Sequence, residues 1–161
     1  MSEDAPRFVV QLHDATRLHY DLRLEMGGVL RSWAVPRGPS MDPRLRRLAV
    51  QVDDHDLSAG EFEGVHEGHS RGSGAVIIWD EGTLKVVRDE PDHISFVVDG
   101  HKLQGRFGLT HTGGTQWILV KAVDGEARRG SDIATEAPAS VRSGRPWQEV
   151  AGSPAGSDQS A

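Results

Sequence analysis

Residues 13–25 read HDATRLHYDLRLE. From Arg17 onward the string separates by parity. Leu18, Tyr20, Leu22 and Leu24 are apolar or aromatic, whereas Arg17, His19, Asp21, Arg23 and Glu25 are ionisable. Alternation with a period of two is the pattern of a strand that turns one face to a core. Outward from it, VLRSWAV (29–35), RLAVQV (47–52), AVIIW (75–79), TLKVV (83–87), HISFVV (93–98), KLQGRFGLT (102–110) and QWILVKAV (116–123) also read as strands. Gly27-Gly28, Glu81-Gly82, Asp99-Gly100 and Gly113-Gly114 lie between several of them and suit hairpin turns. No helix of three full turns is expected. The expected fold is all-β dominated: a small antiparallel barrel, chosen over a sandwich, with short helical turns and a flexible C-terminal tail.

Composition sets the outer limits. The chain has 161 residues, room for one ordinary domain, with 37% hydrophobic and 26% charged residues. It has no cysteine, which excludes disulfides, thiol nucleophiles and Cys-based metal sites. The start, MSEDAPRF, lacks the basic and apolar regions of a secretory signal, and no apolar run approaches a membrane span. A cytoplasmic protein with no membrane partner is expected. Residues 1–6 are read as a short arm and 7–125 as the barrel. Residues 126–161, rich in Gly, Ala, Ser and Pro, are read as a mostly flexible tail. Trp147 and Val150 could dock as one short turn.

The net charge of −6 argues against coating nucleic acid by overall charge. It hides a local excess. Residues 31–47 carry Arg31, Arg37, Arg44, Arg46 and Arg47 against Asp42 alone. Such a segment fits a local anion site, or simply a solvated loop.

The polar face of 17–25 has two readings. One is a solvated strand surface. The other is a metal and phosphate site, and the residue types weaken the first reading, because the face uses His, Asp and Arg but no Lys. Alternate residues on one face lie roughly 7 Å apart, close enough to lean onto one ion. His13 could fold back across the intervening turn to join His19 and Asp21. Two imidazoles and a carboxylate leave coordination positions open. Arg23 would stand beside them as a forked anion donor.

The segments FVVQLHDATRLHYDLRLEMGGVLRSWAVPRGPS (8–40), RLAVQVDDHDL (47–57), EFEG (61–64), GSGAVIIWDEGT (72–83), GRFGL (105–109) and QWILVKA (116–122) closely resemble the phosphoesterase domain of bacterial DNA ligase D. The resemblance runs from about Arg7 to Val123. It implies a metal-dependent 3′-phosphoesterase on a small β-barrel, most active with Mn2+, that heals DNA ends in non-homologous end joining. By similarity, His13, His19 and Asp21 match metal ligands, and Arg23 and His55 match residues holding phosphate oxygens. Arg47 matches a further functional arginine, Arg37 stands where the family usually has lysine, and Arg17 matches a motif arginine. The donor types also suit Zn2+, Co2+ or Fe2+. His55 is a candidate general acid.

The sequence departs from the family at three places. Ala59 replaces an active-site tyrosine. HEGHSRG (66–72) replaces a loop with Pro and Tyr, and its His66 and His69 form either a further metal position or, by the plainer reading, part of a solvated loop. Only Met1 to Pro6 precede the matching region, where many members carry an arm that assists the nuclease reaction. Removal of a 3′-phosphate is therefore expected before phosphodiester cleavage at a 3′-ribonucleotide. The chain is read as standing alone, its partners being DNA 3′ ends and separate ligase, polymerase and end-binding proteins. The alternatives are a catalytically weakened module that binds DNA ends or a repair partner, and a barrel acting on a small phosphate ester. Trp33, Trp79 and Trp117 are read as packing residues.

Overall fold

The computed structural model describes residues 5–66 and 72–152. Nine antiparallel strands run in chain order: β1 (Arg7–Asp14), β2 (Leu18–Met26), β3 (Val29–Val35), β4 (Arg47–His55), β5 (Gly64–Val65), β6 (Ala75–Glu90), β7 (His93–Gly100), β8 (Gln104–Gly113) and β9 (Gln116–Lys121). They pair in the order β1-β2-β3-β4-β9-β8-β7-β6, and β6 returns to β1. That pairing closes an eight-strand barrel and leaves only the two-residue β5 outside it. A 3-10 turn, Leu57–Glu61, follows β4, and two short helices follow the barrel, α1 (Ile133–Glu136) and α2 (Trp147–Ala151).

The parity of the opening stretch is realised in the closed sheet. One face of β1–β3, carrying Phe8, Val10, Leu12, Leu22, Leu24, Trp33 and Val35, joins Trp79, Phe96, Phe107, Leu109, Trp117 and Leu119 in the barrel interior. Each such side chain contributes about 1.5–3 kcal/mol by leaving water. The opposite face of β2 is not solvated in its middle. Asp21 is 7% and Arg23 8% exposed, because the segment from Leu57 to Val65 lies over this outer wall. Gly60 fits closely there: a Cβ would stand 3.2 Å from Val9 and 3.3 Å from Leu30.

Two turns expected from glycine pairs differ in outcome. Gly27 and Gly28 take φ of +63° and +83° and connect Met26 to Val29 as a two-residue hairpin. Glu81-Gly82 is instead the middle of the 16-residue β6, which merges the two expected runs 75–79 and 83–87. Gly82 pairs with Phe8 on one side and Gly100 on the other, and a Cβ there would meet the Asp99 carbonyl at 2.0 Å. This glycine permits a close backbone approach where strands cross over at the seam.

Within the segment that composition marks as a mostly flexible tail, Ile133, Ser140 and Val150 are buried against the barrel, and residues 153–161 lie outside the described residues. Ile133 and Val150 join the interior cluster, and α2 packs on β1, β5 and β6. The indole of Trp79 donates to the Ala137 carbonyl at 2.9 Å, and Lys102 Nζ donates to Ala137 and Ala139. A few large side chains and paired carbonyls fix this segment, and an average over its small residues does not reveal them. Among the described residues no helix is long and apolar enough to cross a membrane.

Candidate active site

The β1–β2 hairpin positions the metal-type donors. Register places His13 opposite His19 and Gln11 opposite Asp21, so all four share the outer face. The imidazoles of His13 and His19 meet edge to face with centroids 5.1 Å apart. His13 Nδ1 lies 3.8 Å and His19 Nε2 3.2 Å from the Asp21 carboxylate. One ligand atom from each residue lies within 4.8 Å of the others. Donors on a single ion at about 2.0–2.2 Å would be at most ~4.4 Å apart, so small side-chain shifts would complete such a site.

The hydrogen bonding of His19 favours a cation between these groups. Its Nδ1 is 2.9 Å from the Arg17 carbonyl, an arrangement in which Nδ1 carries the proton. Nε2 then faces the carboxylate with its lone pair unless it binds a proton or a metal ion. The hydrogen bond to Asp21 accordingly raises the His19 pKa above its ordinary value, although burial opposes this. Burial likewise opposes ionisation of Asp21. Its contacts with His13 and His19 and the positive charge of Arg23 outweigh that and hold the carboxyl well below the usual range. An ionised carboxylate and two imidazoles thus form a donor set suited to a divalent ion.

Arg23 stands next along the same face. Its Nε donates to Gln11 Oε1 at 2.6 Å and its Nη1 to Ser32 Oγ at 2.9 Å, while Nη2 lies 3.6 Å from Asp21. Gln11 is itself fixed, because its Nε2 donates to the carbonyls of Ala59 and Phe62, both at 3.0 Å. The guanidinium is therefore oriented before any anion arrives.

His55 reaches this wall through a bulge. Ser32 pairs with Val52, but Leu30 pairs with His55, so one extra residue has entered β4. Without it Asp54 would take the outward position; with it the His55 ring sits 3.2 Å from Arg23 Nη1 through Nδ1. The same Nδ1 lies 2.9 Å from the Asp53 carbonyl. It can accept from Arg23 or donate to Asp53, not both.

His13, Asp21, Arg23 and His55 line one cleft of about 340 Å³ with Gln11, Val52, Ala59, Phe62, His66 and Val76. Ala59 is thus a small residue in the cleft wall. His66 stacks on Phe62 at 4.4 Å and approaches His13 at 5.7 Å, which places it on the cleft rather than on a remote loop. His69 lies outside the described residues. The other expected residues are elsewhere. Arg37 and Arg47 line a separate groove of about 240 Å³ with Pro36, Arg46 and Leu48, where Arg47 Nε donates to the Gly38 carbonyl. Arg17 is exposed in the β1–β2 turn and touches the site through its carbonyl. Sequence reasoning missed Gln11, Ser32 and Phe62. The signal for Gln11 was present, a lone polar residue in FVVQL with the parity of His13.

The DNA Ligase D 3′-phosphoesterase domain family model matches residues 11–111. The chain is 51% identical over 151 residues to the multifunctional non-homologous end joining protein LigD of Pseudomonas aeruginosa, covering 86% of this chain and 18% of that protein. It is 40% identical over 119 residues to the corresponding DNA repair protein of Mycobacterium tuberculosis, covering 71% and 16%. With the protein of Mycolicibacterium smegmatis it shares 35% over 156 residues, covering 88% and 20%. The chain spans about a fifth of the length of these curated relatives. With half its length and more inside one family model, it belongs to the DNA ligase D 3′-phosphoesterase domain family.

Proposed function

We propose that this chain is a metal-dependent phosphoesterase that heals DNA 3′ ends in break repair by removing a terminal 3′-phosphate and, secondarily, cleaving the phosphodiester at a 3′-terminal ribonucleotide. The observation that carries the reading is the grouping of His13, His19 and Asp21, with donor atoms within 4.8 Å, on one outer wall beside Arg23 and His55. The relatives are named for non-homologous end joining, which supports a DNA end as the substrate. Ligase, polymerase and end-binding proteins are the partners such a healing step would serve.

A divalent ion held by His13, His19 and Asp21 would polarise a phosphoryl oxygen and activate water; manganese fits by family likeness, and zinc, cobalt or ferrous iron by donor chemistry. Arg23 would grip two oxygens of the ester with its planar fork, already oriented by Gln11 and Ser32. Charge growing on those oxygens is then met without reorganisation. His55, in contact with Arg23, would donate a hydrogen bond or a proton to the departing sugar oxygen. Arg37 and Arg47 lie off this cleft, so they would hold phosphates farther along the DNA strand rather than the reacting one. Ala59 leaves that part of the wall without a hydroxyl, which favours the monoester over the diester reaction.

The test is phosphate release from a primer–template bearing a 3′-phosphate, with and without manganese, for the wild type, His19→Ala and Arg23→Ala. Release that needs metal and is lost in both variants supports the reading. Tight binding of the same DNA with no release by metal-loaded wild type would sink it in favour of a binding module.

A further inference from the structure

The stretch Ala139–Arg142 crosses from the barrel end to the outer wall, and its contacts converge on the segment that roofs the cleft. Val141 N donates to the Ile78 carbonyl at 3.0 Å, while Ile78 N donates to Glu63 Oε1 at 2.7 Å. Beyond the two residues of β6 that pair with β5, the edge of β6 is therefore completed by Glu63 and by this stretch. Ser140, only 4% exposed, donates its hydroxyl to the same Glu63 oxygen at 2.6 Å. Arg142 grips both oxygens of Glu81 at 2.8 Å and reaches Glu61 at 2.8 Å. Arg7, at the start of β1, pairs with the same two glutamates.

These contacts lead to Arg23. Glu61 and Glu63 flank Phe62, whose carbonyl with that of Ala59 holds the Gln11 amide, and Gln11 Oε1 in turn holds Arg23 Nε at 2.6 Å. Every step from Ser140 to the guanidinium is a hydrogen bond or one peptide unit. None passes through His13, His19 or Asp21.

We propose that residues 139–142 are a positioning strap for the active site, with Ser140 and Arg142 as positioning residues: they fix the 57–65 wall and, through Gln11, aim Arg23 at its anion. This rests on the reading of the cleft as a phosphoesterase site. It commits the segment after the barrel to a part in substrate binding rather than a passive connection. Slack in the strap would misdirect the fork without disturbing the metal donors, and so would weaken both substrate binding and the stabilisation of the transition state.

The test uses the full chain as wild type, Ser140→Ala, Arg142→Ala and Arg142→Lys, with two readouts. Amide hydrogen exchange is followed for 57–65 and for β7–β9. Manganese-dependent release from the 3′-phosphate primer–template is resolved into KM and kcat. The expected result is faster exchange in 57–65 with β7–β9 unchanged, a roughly tenfold fall in kcat/KM that includes a rise in KM for both alanine variants, and partial recovery in Arg142→Lys. Unchanged exchange in 57–65, or exchange rising throughout the barrel, would overturn the strap. So would a fall in kcat at constant KM, which reports a smaller folded fraction. Should the wild type release no phosphate, the phosphoesterase reading fails by itself, and exchange in 57–65 still decides the strap.

Discussion

Arg23 gathers the site's polar logic into one side chain. It is 8% exposed, with Gln11, Ser32, Asp21 and His55 around its nitrogens. Lysine carries the charge but cannot reach these acceptors as a planar fork. Arg23→Lys is expected to lower kcat/KM by about 10²-fold, the scale of losing one preorganised oxyanion donor, with metal affinity by calorimetry nearly unchanged. Ser32→Ala removes one of the two acceptors near Nη1 and should cost about 1–3 kcal/mol in denaturant unfolding, since a charge-assisted hydrogen bond is lost at a largely buried group. The metal-type donors were legible in the sequence because a tight hairpin keeps His13 and His19 opposed, and short spacing survives folding. Arg37 and Arg47 were not placeable that way. Their likeness to family residues says nothing of the separate groove they line, which is built from the ends of the connection between β3 and β4.

At the scale of the strand, alternation in β2 made the barrel readable, because period two leaves only one face for a core. The same rule does not extend to β4 and β6. In β4 a bulge after Val52 reverses parity and brings His55 to the cleft, and nothing in VDDHD marks the inserted residue. In β6 a Glu-Gly pair resembles a turn, but here glycine lets two backbones approach at the seam of the barrel. Gly82→Ala would set a Cβ 2.0 Å from the Asp99 carbonyl, and backbone on both sides limits the yielding. It should destabilise by at least about 1–3 kcal/mol, as overpacking does, visible as a lower Tm. Gly28→Ala, where no atom lies within 4 Å, tests only the positive φ and should cost less.

Across the whole molecule, the barrel closes one polar wall under the 57–65 segment and then ties that segment down from its C-terminal side. Composition after Val123 concealed this, because Ile133, Val150, Ser140 and Arg142 are few among small residues. Hydrogen bonds from Arg142 hold Glu81, and those from Arg7 and Arg142 hold Glu61, with pKa values below the ordinary carboxylate value. A folded pKa below the unfolded one gives stabilisation that is complete above about pH 4.3–4.5 and lost as pH falls through the folded values. Exchange of the 139–151 amides, corrected for intrinsic rates, should therefore quicken on acidification below that range before β7–β9 opens, and also in high salt, because the pairs are partly exposed. The most direct measurement of the central claim is an anomalous difference map over the whole molecule from crystals soaked in manganese. The expected result is a leading peak within coordinating distance of His13, His19 and Asp21, lost in His19→Ala crystals. A leading peak anywhere else, or one that persists in His19→Ala, would contradict it.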